Sequence, residues 1–173
     1  MSELRELLGL SSDQVIGFFQ EYLKDEVNTR KVSDAEVRYV AGILAHFAHT
    51  SRCGNSSLPM PISLFEILDN FVLPELQTEV FGRIQDPEIL EIAGSQTLLL
   101  AGFFRDQMKR RHNVGLYDQF GSSFYLRASE NTRQKEAKDL LRRVSSNFSD
   151  LALSCRNLNR TLWEQKHLLR ISS

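Results

Sequence analysis

Two cysteines, four prolines and one tryptophan are spread over 173 residues. Cysteine this scarce does not make a disulfide scaffold. Cys53 and Cys155 stand far apart with no CxxC spacing, and both are expected as reduced thiols. Long apolar runs are also missing. The longest, Leu98 to Phe104, is far too short to cross a bilayer. At the N-terminus Glu3, Arg5 and Glu6 interrupt Leu4, Leu7 and Leu8, so no secretory signal is read there and a cytoplasmic home is expected. The sequence has no glycine-rich phosphate loop and no nucleophile elbow, and neither cysteine has a histidine and an acid arranged around it. A catalytic set is therefore not expected, nor is a cofactor.

Hydrophobic residues make up 42% and charged residues 25%, a globular balance. The net charge of −1 conceals a division along the chain. Residues 1–104 carry 7 Lys/Arg against 15 Asp/Glu, and residues 105–173 carry 14 against 7. The first part is thus at −8 and the second at +7. A basic half of this kind can bind nucleic acid or an acidic partner. The favoured expectation is that the two halves neutralise one another, inside one fold or across a dimer, because nucleic-acid domains usually carry an overall positive excess.

Leucine dominates, and apolar residues recur near a period of 3.6, which predicts helices rather than strands. One helix is expected over 12–27, with Val15, Phe18, Phe19, Tyr22 and Leu23 on one face and Ser12 or Asp13 as its cap. A second starts at the capping box Ser33-Asp34-Ala35-Glu36 and turns Val37, Val40, Ile43, Leu44 and Phe47 inward. A third is expected over 62–73, with a short continuation from 75 to 84 after Pro74. Asp86-Pro87 reads as a cap followed by proline at the first helical position. Gly94-Ser95 suggests a break, with Ser95 capping a central helix that runs through Phe104 to about residue 111. After a turn at residues 113–115, a helix over 116–129 presents Tyr117, Phe120, Phe124, Tyr125 and Ala128.

The last segment has the most regular pattern. Leu141, Val144, Phe148, Leu151, Cys155, Leu158, Leu162 and Leu169 fall at alternating steps of three and four, with Gln165 the one polar exception, a heptad seam on one long helix. That helix is expected to pack on its own chain. The alternative is that it also seals a homodimer through Leu158, Leu162 and Trp163. The whole of residues 1–173 thus reads as one all-α bundle of six to eight helices, closed by this C-terminal helix.

Few residues suggest chemistry. His46 and His49 have helical metal-site spacing, but with no accompanying Glu-x-x-His they are read as a solvent-facing or core-rim pair. Lys109-Arg110-Arg111-His112 is explained by charge complementarity at a helix C-terminus. Arg105 upstream and Tyr117 downstream would turn it into an anion-holding surface. For nucleic acid, exposed aromatics should alternate with basic residues, whereas Phe103, Phe104, Phe120 and Phe124 have core spacing.

Leu98-x-x-x-Gly102-Phe103-Phe104, the basic stretch after it, and then Tyr117, Gly121 and Tyr125 form a pattern that resembles an uncharacterised family of bacterial helical proteins. Tyr39-Val40-x-x-x-Leu44-Ala45-x-Phe47 is similar to that family's N-terminal helix. The chain departs from the family at Phe124, where a small residue precedes the tyrosine. The resemblance implies a bacterial cytosolic protein and supplies no catalytic residue. The resulting expectation is a non-enzymatic interaction or regulatory module whose partner is a protein or a second copy. Nucleic-acid association through the basic half is the alternative. A small-anion site centred on Arg105, Arg111 and Tyr117 comes third.

Overall fold

The computed structural model describes residues 11–27, 31–50, 85–108 and 113–171. The helix expected over 62–73, its continuation to 84, Cys53 and the basic residues 109–112 lie outside these. Among the described residues there are seven helices and no strand. They are α1 (Ser12–Glu26), α2 (Asp34–Thr50), α3 (Pro87–Ala101), α4 (Arg105–Met108), α5 (Val114–Asn131), α6 (Lys135–Ser146) and α7 (Phe148–Ile171).

Local chemistry explains the starts. The Ser11 hydroxyl accepts from the Gln14 amide and the Gln14 side chain accepts from the Ser11 amide, so Ser11 closes a reciprocal box on α1 in place of Ser12 or Asp13. Asp86 accepts from the Glu88 amide ahead of Pro87, as its sequence implies. Asn113 caps α5 through the Gly115 amide and lets the helix start two residues earlier than its apolar pattern suggests.

The helices pack as two antiparallel hairpins bridged by α7. α1 packs on α2, and α3 packs on α5. Gly94 meets Tyr125 while Arg105 meets Asp118, so α3 and α5 run in opposite directions. α5 then folds back on α6, and α7 lies across α1, α3 and α5. One continuous core results. It joins Val15, Phe19 and Leu23 of α1 to Val37, Val40 and Leu44 of α2, Leu98 and Leu100 of α3, Phe124 and Tyr125 of α5, and Phe148, Leu151 and Leu158 of α7. Leu98, Leu99 and Leu100 are all buried, so the all-round apolar run does mark a central element.

Three breaks differ from the sequence expectation. α3 passes through Gly94 without interruption, because the missing side chain there accommodates the Tyr125 ring. The same helix stops at Ala101 rather than near residue 111. A Cβ on Gly102 would stand 2.8 Å from both the Ala152 carbonyl oxygen and Cys155 Cβ, so the chain turns where it meets α7. The heptad seam spans two helices instead of one, parted at Asn147 with φ −102° and ψ 14°. Asn147 leaves the helix to donate its side-chain amide to the Lys31 carbonyl at 3.1 Å and to Glu36 Oε1 at 2.7 Å. Those bonds reach across to the first hairpin, and periodicity carries no trace of them.

Candidate functional site

Buried polar groups in the bundle serve mainly as cross-helix ties. The Glu36 carboxylate is fully buried, and it accepts from the Ser33 amide, the Ser33 hydroxyl and Asn147. The sequence shows this residue as half of a capping box. The third bond makes it also the joint between α2 and the α6–α7 break. Three hydrogen bonds are what a carboxylate needs to sit in a core. Ser122 of α5 and Ser145 of α6 tie their helices by exchanging hydroxyl-to-carbonyl bonds, at 2.9 Å and 2.7 Å.

The densest cluster of chemically capable groups is Tyr39, Glu91, Ser95 and Tyr125. The Tyr39 hydroxyl donates to Glu91 Oε1 at 2.7 Å, and Tyr125 Oη lies 3.0 Å from Ser95 Oγ and 3.5 Å from Tyr39 Oη. The two rings meet edge to face. Burial pushes the Tyr39 phenol well above its ordinary value of 10.0, and the neighbouring Tyr125 and Glu91 add to the shift. Burial also raises Tyr125, although its bonds to Ser95 and Tyr39 offset part of the rise. Both phenols therefore stay protonated at neutral pH and act as neutral hydrogen-bonding links between α2, α3 and α5.

A pH dependence follows. Both native phenols titrate above their unfolded value, so the folded state holds its protons longer. The phenols alone would leave stability level below about pH 10 and make it fall above that, by up to about 1.4 kcal/mol per pH unit for each phenol. Burial pushes the Cys155 thiol in the same direction, from 9.0 to about 12, so the decline should begin just above pH 9. Urea unfolding from pH 8 to pH 11 should show the fall, and Tyr39→Phe should make it shallower. An unchanged slope would remove Tyr39 from this linkage.

Arg156 and Arg160 of α7 converge on Asp106 of α4. Arg156 Nε and an outer guanidinium nitrogen lie 2.9 Å and 2.8 Å from Oδ1, and Arg160 Nε lies 2.8 Å from Oδ2. Hydrogen bonds from the two guanidiniums hold the Asp106 carboxyl below the ordinary carboxylate range. Asn159 donates to the Phe103 carbonyl at 2.6 Å and completes the attachment of this turn to α7.

Of the five residues singled out from sequence for an anion site, the described part of the structure includes Arg105 and Tyr117. Tyr117 is 0% exposed and belongs to the core, so its ring does not face an external anion. Arg105 donates to the Ala101 carbonyl at 3.1 Å and lies 3.5 Å from Asp118, which answers its charge from within. Lys109, Arg110 and Arg111 lie outside the described residues. The proposed interface residues are also redistributed. Leu158 is 0% exposed and packs wholly inside the chain, Leu162 is half-buried against the same core, and the Trp163 side chain is outside the description. Leu158 is therefore a core residue, because α7 turns this part of the seam towards its own chain. His46 is exposed, and among the described residues no three His, Cys, Asp or Glu side chains cluster as metal ligands would. No helix among the described residues is long and apolar enough to cross a membrane.

What the surface does offer is aliphatic and charged. Ile89 and Ile92 of α3, one helical turn apart, are 38% and 54% exposed. Comparison with family models, curated proteins and solved structures yields no match.

Proposed function

We propose that the chain is a non-enzymatic interaction module of the cytoplasm, a helical scaffold that binds a protein partner or another copy of itself. The observation that carries this reading is the aliphatic pair Ile89 and Ile92 on α3. Single exposed aliphatics are ordinary on a surface. Two of them on adjacent turns of one helix are the kind of anchor that a partner's groove accepts. The polar groups best suited to chemistry, Tyr39, Glu91, Ser95 and Tyr125, are engaged with one another, which also favours binding over turnover.

A photo-crosslinking amino acid in place of Ile92, in protein expressed in its own cell, should give a discrete protein adduct. Ile89→Asp should abolish the adduct with little loss of stability, since exposed surface substitutions usually stay within about 0.5 kcal/mol. If position 92 gives no adduct, or the adduct survives Ile89→Asp, the reading is wrong.

A further inference from the structure

Among the described residues, the ion pairs do not resolve the charge division seen in the sequence. Lys24 pairs with Asp34 inside the acidic part, while Arg105 pairs with Asp118, and Arg156 and Arg160 with Asp106, inside the basic part. Lys31–Asp150 joins the two parts, but in the opposite sense, cation from the acidic half and anion from the basic half. Among the described residues, part of the surplus lies on two surface helices. On α1, Asp13, Glu21 and Asp25 share the outward face with Gly17 at helical steps of four, and all are exposed. On α6, Lys135, Arg142 and Arg143 are exposed and Lys138 is half-buried. None of these seven charged groups has an oppositely charged side-chain partner among the described residues.

The two helices are opposite in charge. Residues 12–26 carry four acidic groups and one lysine, a balance of −3. Residues 135–146 carry four basic groups and two acidic ones, a balance of +2. At 1.5 Å of rise per residue, the acidic row from Asp13 to Asp25 spans about 18 Å and the basic row from Lys135 to Arg143 about 12 Å. We infer that a second copy of this chain lays its acidic α1 face along the basic α6 face of the first. This inference rests on the interaction-module reading and names the partner. The contact joins two different surfaces, so it either closes reciprocally into a two-fold pair or repeats head to tail. Exposed ion pairs bind weakly and are screened by salt, so association belongs in the micromolar range and responds steeply to ionic strength.

The test is sedimentation of the full chain at about 100 µM, in about 0.05 M and about 0.5 M salt. Association is expected at low salt and loss of at least about tenfold in affinity at high salt. Arg142→Glu with Arg143→Glu should sediment as monomer, as should Glu21→Lys with Asp25→Lys. Mixing the two charge-reversed proteins should restore association between them, a result that general stickiness does not produce. The neutral pair Arg142→Gln with Arg143→Gln gives an intermediate loss and keeps the test valid if reversal perturbs folding. A monomeric parent at low salt, association that ignores both reversals, or no recovery on mixing would overturn the inference. Association abolished by nuclease would overturn it too, and would assign the α6 face to nucleic acid. A monomeric parent that still gives the Ile92 adduct would refute this contact alone and leave the module reading standing.

Discussion

Leu158→Asp is expected to leave the chain largely unfolded at every protein concentration. Leu158 is in the middle of the core that α7 builds and is fully buried. A carboxylate there has lost its hydration and gains no cation in return, an effective cost of several kcal/mol against a typical total stability of about 5–15 kcal/mol. Leu158→Ala removes only packing and should cost about 2–5 kcal/mol. The pair distinguishes the core from a dimer seam. Were Leu158 an interface residue, the Asp variant would remain helical and become monomeric, and stability of the parent would rise with concentration. Far-ultraviolet circular dichroism of the variant at low and high concentration decides the matter. A folded, helical Leu158→Asp protein would contradict the packing described for α7.

Phe148→Ala should cost about 3–5 kcal/mol, the second large effect. The ring is buried at the start of α7 and lies directly over Gly121 of α5, near the Tyr125 ring. A Cβ added at Gly121 would run into the Phe148 ring, well inside any real contact. Gly121→Ala should therefore destabilise by overpacking, about 1–3 kcal/mol, because neither helix can retreat without opening the core. Phe148→Leu in the Gly121→Ala background should recover part of that loss. The double variant would then be more stable than the two single losses summed, the mark of residues in direct contact. Additive losses in thermal or urea unfolding would show that the two positions do not share this contact.

Periodicity made the helices and their inward faces legible. Val15, Phe19, Leu23, Val37, Val40, Leu44, Phe124, Phe148 and Leu151 are read as core from spacing alone, and all are buried. Helix ends followed the sequence where the cap is local, as at Asp86-Pro87, and departed from it where the cause is tertiary. Gly94 looks like a break until Tyr125 is known to lie against it, and Asn147 looks like an ordinary position between two seam residues until Lys31 and Glu36 are known to face it. Spacing also says that a stripe will be covered without saying by what. Leu158 could be read as a partner anchor for that reason, and Tyr117 as a surface phenol. The charge division was plain in the sequence. What it could not show is that, among the described residues, no ion pair joins an acid of the first part to a cation of the second and the acidic row of α1 and the basic row of α6 go unanswered, because pairing depends on which helices meet.

The bonds from Asn147 to Lys31 and Glu36 also set a timetable for synthesis. The α1–α2 hairpin emerges first, yet its apolar faces are covered in part by α7, and the buried Glu36 carboxylate receives its third donor only from residue 147. At about 5–20 residues per second, a ribosome needs on the order of 5–20 s to travel from the end of α2 to that asparagine. Throughout that interval Val15, Phe19, Leu23 and Leu44 lack their final neighbours. The nascent chain is in this period a natural client for a ribosome-associated chaperone, and a stop codon before residue 147 would release a polypeptide fit for proteolysis rather than a smaller working protein.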